Sequence, residues 1–189
     1  VTEAYEDYQF YRVNQLIHNF CAVLLSSFYL DVLKDRLYTS PAKSKERRSA
    51  QTVLYYILMD LTRCLAPIFG FTADEVWRYI PGRKEEASIH LTGWPALKEE
   101  WIDSVLEEKW ENLLSLRDFV LKEIEKVREN GAIGDSLESQ VKFYHHEVKL
   151  PEFILISQKE LSDIFLVSQV KFCNVSQQEF SKIDLPDLE

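Results

Sequence analysis

Over most of the first 130 residues apolar side chains recur every three or four positions. That spacing belongs to helices burying one face. Phe10, Val13, Ile17, Phe20 and Leu24, widened by Leu16 and Cys21, predict a helix from Tyr5 to about Leu24. Ser26 and Ser27 either cap a second helix or interrupt one long helix, whose apolar face continues through Phe28, Val32, Leu33 and Leu37 to Tyr38. Thr39-Ser40-Pro41 ends it, because proline removes a donor and restricts the residue before it. A further helix is expected from about Lys45 to Ala66, with Ala50, Val53, Leu54, Ile57, Leu58, Leu61 and Leu65 buried. Pro67 stops it. Thr72-Ala73-Asp74-Glu75 reads as a capping box opening a short helix through Val76, Trp77 and Tyr79.

Residues 82–97 lack helical periodicity, and Ser88-Ile89-His90-Leu91 with Trp94-Pro95 reads as a strap over the helices. A long helix follows from about Ile102 to Asn130, carrying Leu106, Trp110, Leu113, Val120, Ile124 and Val127 on one side. Asn130-Gly131 is a helix stop. The period then changes. Val141 to Tyr144 and Gln169 to Cys173 read as strands, with a short helix from Glu160 to Phe165 between them. The expected architecture is mainly α: a helical bundle over 1–133, a small α+β appendage over 134–175 and a polar tail over 176–189. No internal repeat is expected.

Composition agrees with a folded, helix-rich chain. Hydrophobic residues make up 46% and charged residues 28%, with only five glycines and six prolines for turns. Cys21, Cys64 and Cys173 are far apart and odd in number, which predicts buried reduced thiols, not a disulfide framework, and suits a reducing compartment. The longest apolar run, Cys21 to Leu25, is far too short to span a membrane. The chain opens in mid-pattern without an initiator methionine, as an excised piece of a longer protein would.

Catalytic chemistry finds little support. Glu85-Glu86, Glu99-Glu100 and Glu107-Glu108 are adjacent pairs, and neighbours on a helix do not face each other. His145-His146 would point to opposite faces of a strand. His18 and His90 have no partner near in sequence. No phosphate-cradling glycine loop, nucleophile elbow or metal-ligand spacing is present. No catalytic and no metal residue is assigned.

Charge supplies the one local anomaly. The formal net charge is −9, a poor background for nucleic acid. Yet between residues 34 and 48, Lys34, Arg36, Lys43, Lys45, Arg47 and Arg48 face only Asp35 and Glu46, so that segment carries +4 and the rest −13. Two helix ends would place this charge at one tip of the bundle, where a helix start also points backbone amides outward, toward phosphate. Tyr38, beside the basic residues, is the aromatic placed to stack on a base. Most of the other Trp and Tyr residues lie on apolar helix faces and read as core.

Several blocks resemble the anticodon-binding helices of bacterial-type isoleucyl-tRNA synthetases. These are Leu25 to Asp31 with Lys34-Asp35-Arg36-Leu37-Tyr38, Arg47 to Leu54, Leu65-Ala66-Pro67-Ile68, Phe71 to Trp77, Ser88 to Pro95 and Ile133 to Glu138. They keep the family's order over about residues 5–175. The sequence departs from the family at Leu24, usually an aspartate. The resemblance implies a bundle that follows a Rossmann catalytic domain and docks tRNA(Ile) on its anticodon side in the cytoplasm. Its partners would be that tRNA and the catalytic and editing domains of the same parent chain, with no membrane. The family's ATP-binding motifs and its C-terminal zinc-binding cysteines are not in this sequence. The parent would use ATP and Mg, with any zinc held in a further C-terminal segment. Two alternatives stand beside this reading: a helical protein-interaction module, and the equivalent domain of a valyl or leucyl enzyme.

Overall fold

A computed structural model describes residues 1–82, 86–145 and 158–174. The expected polar tail, 176–189, lies outside the described residues, as do His146 and Glu85. The chain divides into two compact units, Val1–Glu99 and Glu100–Glu189.

The helix expected from Tyr5 is broken near its start. α1 (Thr2–Glu6) and α2 (Phe10–Asn19) are separated by Tyr8, whose φ of 56° is left-handed. The Gln9 amide reaches back to the Ala4 carbonyl at 2.7 Å and the Tyr8 amide to Tyr5 at 3.1 Å, a closure usually given to glycine. A tyrosine there carries a steric cost of about 1 kcal/mol or more. Tyr8 is 80% exposed and makes an edge contact with Phe10, 6.3 Å between centroids. Tyr8→Gly is therefore expected to stabilise the chain by about 0.5–1 kcal/mol, read as a raised urea midpoint. A lowered midpoint would mean the Tyr8–Phe10 contact outweighs the strain.

After α2 the chain does not remain α-helical. Phe20–Leu30 winds as a π-helix, and Ser27 Oγ donates to the Ala22 carbonyl five residues back at 2.7 Å. None of its residues is fully buried. The segment is almost wholly apolar, so a three/four stripe could not reveal this winding. α3 (Lys34–Tyr38) and α4 (Lys45–Leu65) follow. α4 starts as expected, with Ser44 accepting from the Arg47 amide at 3.2 Å.

The face that α4 buries differs from expectation. Val53 and Leu58 are exposed, whereas Thr62 is buried, its hydroxyl donating to the Leu58 carbonyl at 2.6 Å. The core beside α4 is built on Ala66, Ala73, Trp77, Ile80 and Ile89, with Tyr55, Met59 and Val76 packed on it. Along α4 and its C-cap, Tyr55, Met59 and Ala66 therefore face this core. The capping box is also corrected. α5 runs Gly70–Tyr79 from Phe69, with no side-chain cap, so Thr72 and Glu75 lie inside the helix. Asp74 has another task. It accepts from Ser88 Oγ at 2.5 Å, the Ile89 amide at 3.3 Å and Arg78 at 2.6 Å.

Asp74 thus pins the strap, which turns through a 3₁₀ segment at Ile89–Leu91 and buries Ile89 to 2% exposure. Trp77 Nε1 donates to the Glu86 carbonyl at 3.1 Å, and Trp94 Nε1 to Thr2 at 2.9 Å. The hydrogen bonds from Ser88 and Arg78 hold the Asp74 carboxyl below the usual carboxylate range. A depressed folded pKa contributes stability above the unfolded value of about 3.9, and that contribution is lost as pH falls through the folded value. The strap is expected to loosen below about pH 4, with Trp77 fluorescence changing before global unfolding. Asp74→Asn should remove that early acid phase. An unchanged acid profile in the variant would count against the pin.

In the second unit α6 (Ser104–Glu129) is capped by Asp103, which accepts from the Leu106 amide at 3.0 Å. Leu113, Arg117, Val120 and Ile124 form its buried line, while Leu106, Trp110 and Val127, expected inside, are exposed. β1 (Gln140–His145), α7 (Gln158–Phe165) and β2 (Gln169–Asn174) complete it. The strands pair in parallel, Gln140 opposite Gln169 through His145 opposite Asn174, as strands joined by a crossover segment can. Phe143 stacks on Phe172 at 5.6 Å and meets Phe165 of α7 at 6.0 Å. This register sets a short repeat side by side, where no internal repeat was expected. Gln-Val-Lys-Phe occurs at 140–143 and again at 169–172, side by side. The three cysteines are free and only half-buried.

Candidate nucleic-acid interface

The basic segment occupies α3, the first turns of α4 and the connection between them. That connection is tightly built. Thr39 caps the end of α3 through Asp35, with its Oγ1 at 2.7 Å and its amide at 2.9 Å from the Asp35 carbonyl. The Ser44 amide donates to the Pro41 carbonyl at 2.9 Å, and Arg47 Nη1 donates across the turn to the Ser40 carbonyl at 3.0 Å. Arg47 is half-buried, and its Nε is buried with no hydrogen-bond partner among the described residues. Part of its guanidinium is thus committed to shaping the loop.

The other expected residues divide by environment. Lys34 is ion-paired with Asp31, whose hydrogen bond and charge hold the ammonium above the usual lysine range. Arg36 is half-buried close enough to Tyr29 for its charge to oppose the upward push that burial gives the phenol. Tyr38 ends α3 with 82% of its surface exposed. Lys43, Lys45 and Arg48 are exposed on the connection and first turn of α4, where no ion pair engages them among the described residues.

Their position runs against the helix dipole. A helix start favours acidic side chains, and cations there are disfavoured by a few tenths of a kcal/mol or more. Lys45, Arg47 and Arg48 in the first turn of a 21-residue helix suit an anion from outside. Sequence reasoning found these residues but could not separate the committed Arg47 and Lys34 from the exposed trio.

No group of three or more His, Cys, Asp or Glu side chains among the described residues could hold a metal ion. No helix among them is long and apolar enough to cross a membrane. An exposed basic turn between two helices is suited to docking a polyanion. Residues 1–143 match the family described as the anticodon-binding domain of tRNA ligase, and the chain belongs to that family. Among similar curated proteins are the isoleucine–tRNA ligases of Natranaerobius thermophilus, 48% identical over 93% of this chain, and Moorella thermoacetica, 48% identical over 90%. That of Syntrophotalea carbinolica is 42% identical over 100% of the chain. The chain spans 18–20% of the length of these relatives.

Proposed function

We propose that this chain is the tRNA-docking part of an isoleucine–tRNA ligase and that its own contribution is positioning, not chemistry. The observation that carries the reading is the match to anticodon-binding domains over 1–143, which contains the exposed basic turn on an otherwise acidic chain. In this reading the parent enzyme joins isoleucine to tRNA(Ile) in the cytoplasm, using ATP and Mg. Any zinc of the parent is placed, in this reading, in a further C-terminal segment.

Lys43, Lys45 and Arg48 contact tRNA phosphates, with Lys34 and Arg36 adding positive field from α3. Arg47 holds the turn through Ser40 and offers what remains of its guanidinium. Tyr38 stacks on a nucleotide. Phosphate contacts of this kind fix register and carry no sequence information. The helical part extends over 1–133, and 134–175 forms the junction to the rest of the parent. The direct test is titration of tRNA(Ile) against the chain over a salt series. Binding that falls steeply with salt, and that weakens when the exposed trio is neutralised, supports the proposal. Salt-insensitive binding, or none, overturns it.

A further inference from the structure

The last turn of α6 ends on a dipeptide that can react with itself. Of the five asparagines in the chain, Asn130 alone precedes a glycine; Asn14, Asn19, Asn112 and Asn174 precede Gln, Phe, Leu and Val. A glycine has no Cβ, so its backbone nitrogen is free to approach the side chain before it. Asn130 is the C-cap, at φ −76° and ψ 0°, and Gly131 follows with a left-handed φ of 72°. The Gly131 amide donates to the Arg128 carbonyl at 2.9 Å and the Ala132 amide to Val127 at 3.2 Å, the paired closure of a Schellman end.

The dipeptide is open to water. Both residues are exposed. The Asn130 carboxamide makes no hydrogen bond among the described residues. No atom beyond its chain neighbours lies within 4 Å of where a Gly131 side chain would start. Asn112, in the middle of the same helix, is held differently, its Nδ2 donating to the Glu108 carbonyl at 3.0 Å.

We infer that Asn130 and Gly131 form a self-modifying site, which loses ammonia and takes up water when the last turn of α6 opens. Hydroxide removes the Gly131 amide proton, and that nitrogen attacks the Asn130 Cγ. The new N–C bond closes a succinimide ring. The carboxamide C–N bond breaks, and its nitrogen leaves as ammonia with a proton from water. Water then opens the ring at either carbonyl. One opening gives aspartate; the other gives isoaspartate, in which the main chain runs through Cβ and Cγ. No electron is transferred, and water is the only co-reactant.

The fold sets the rate. In the closed turn the Gly131 N–H is committed to the Arg128 carbonyl, and the nitrogen must leave that bond before it can turn on Cγ. Terminal helix turns open far more readily than the core. Two backbone hydrogen bonds close this one, so the folded chain should react about fivefold to thirtyfold more slowly than an unstructured peptide. Modification then prevents the turn from closing as before. Aspartate puts a carboxylate at the negative end of a 26-residue helix, next to Glu129. Isoaspartate lengthens the main chain ahead of Gly131, so neither closing bond keeps its span.

The test incubates the whole 189-residue chain, without RNA, at mildly alkaline pH beside a peptide of residues 125–135. Peptide mapping by mass spectrometry reads the replacement of NH by O, and chromatography separates aspartate from isoaspartate. Both isomers are expected at Asn130 of the folded chain, with Asn14, Asn19 and Asn112 unchanged. Asn130→Gln, which would have to close a larger ring, should abolish the signal and leave the urea midpoint nearly unchanged. Lys126→Gly loosens the last turn at an exposed position and should quicken the reaction by about fivefold. Asn130→Asp, the product made directly, should lose hydrogen-exchange protection at Gly131 and Ala132. An Asn130 that stays intact in the folded chain while the peptide is fully converted overturns the site. Equal rates in the peptide, the folded chain and the Lys126→Gly variant overturn the role given to the turn. None of these readouts involves RNA, so the docking reading stands or falls separately.

Discussion

Replacing Lys43, Lys45 and Arg48 together with alanine is expected to lower the salt slope of tRNA(Ile) binding by about two units or more, because each released phosphate contact contributes roughly 0.7–0.9. Only a few contacts hold the complex, so the same variant should lose most of its affinity at moderate salt. The three side chains are exposed and unpaired among the described residues, and the fold should be nearly indifferent to their loss. Arg47 is left in place for a structural reason. Its bond to the Ser40 carbonyl ties the turn to α4, and an alanine there would strip that carbonyl of its donor. Arg47→Ala should therefore lower stability by about 1–2 kcal/mol and confuse any binding result. Glu107→Ala with Glu108→Ala is the charge control; it should leave binding unchanged or tighten it by relieving background repulsion. Titration over a salt series, with unfolding curves alongside, reads all of this. An unchanged slope and affinity in the triple variant, with the fold intact, would remove the turn as the docking surface.

What the sequence revealed and what it hid follow one line. The helix stops at Pro41, Pro67 and Asn130-Gly131 act through the residue itself, and α3, α4 and α6 end where those residues imply. Features decided by a distant partner were not legible. Thr72 and Glu75 have the spacing of a capping box, but α5 starts at Gly70 and their neighbour Asp74 is taken up by Ser88 and Ile89 of the strap. Tyr8 breaks the first helix with a left-handed residue whose type gives no warning. The π winding of Phe20–Leu30 is hidden because nearly every position is apolar, so no polar face marks the period.

The candidate site shows the same division. Charge density, a property of the local sequence, located the basic turn. It could not tell that Asp31 occupies Lys34 or that Ser40 occupies Arg47. On the sheet the reverse holds. Two lysines 29 positions apart carry no local signal, and only the zero-offset pairing of two identical tetrapeptides brings them together. The repeat was visible in the sequence, but its side-by-side pairing needed the register.

The largest stability effect is expected at Arg117, which breaks the apolar line of α6. It is only 7% exposed, between Leu113 and Val120, and its Nε donates to the Ile164 carbonyl at 2.9 Å. That carbonyl lies in the last turn of α7, where backbone acceptors lose their helical partners. The amide four residues on, Ser168, donates instead to the Ser139 carbonyl at 3.1 Å, and the Val167 amide to Ser162. Arg117 therefore satisfies a buried acceptor, and its charge sits favourably at a helix C-terminus. Arg117→Ala should cost about 2–4 kcal/mol, combining the lost charged hydrogen bond, the orphaned carbonyl and the cavity left by the stem. Arg117→Met keeps most of the volume and removes the donor, so about 1–3 kcal/mol should remain. Urea unfolding gives both values, and hydrogen exchange should show lost protection in α7 and the β1–β2 pair. A methionine variant as stable as the unaltered chain would mean that packing alone, not the bond to Ile164, holds α7 against α6.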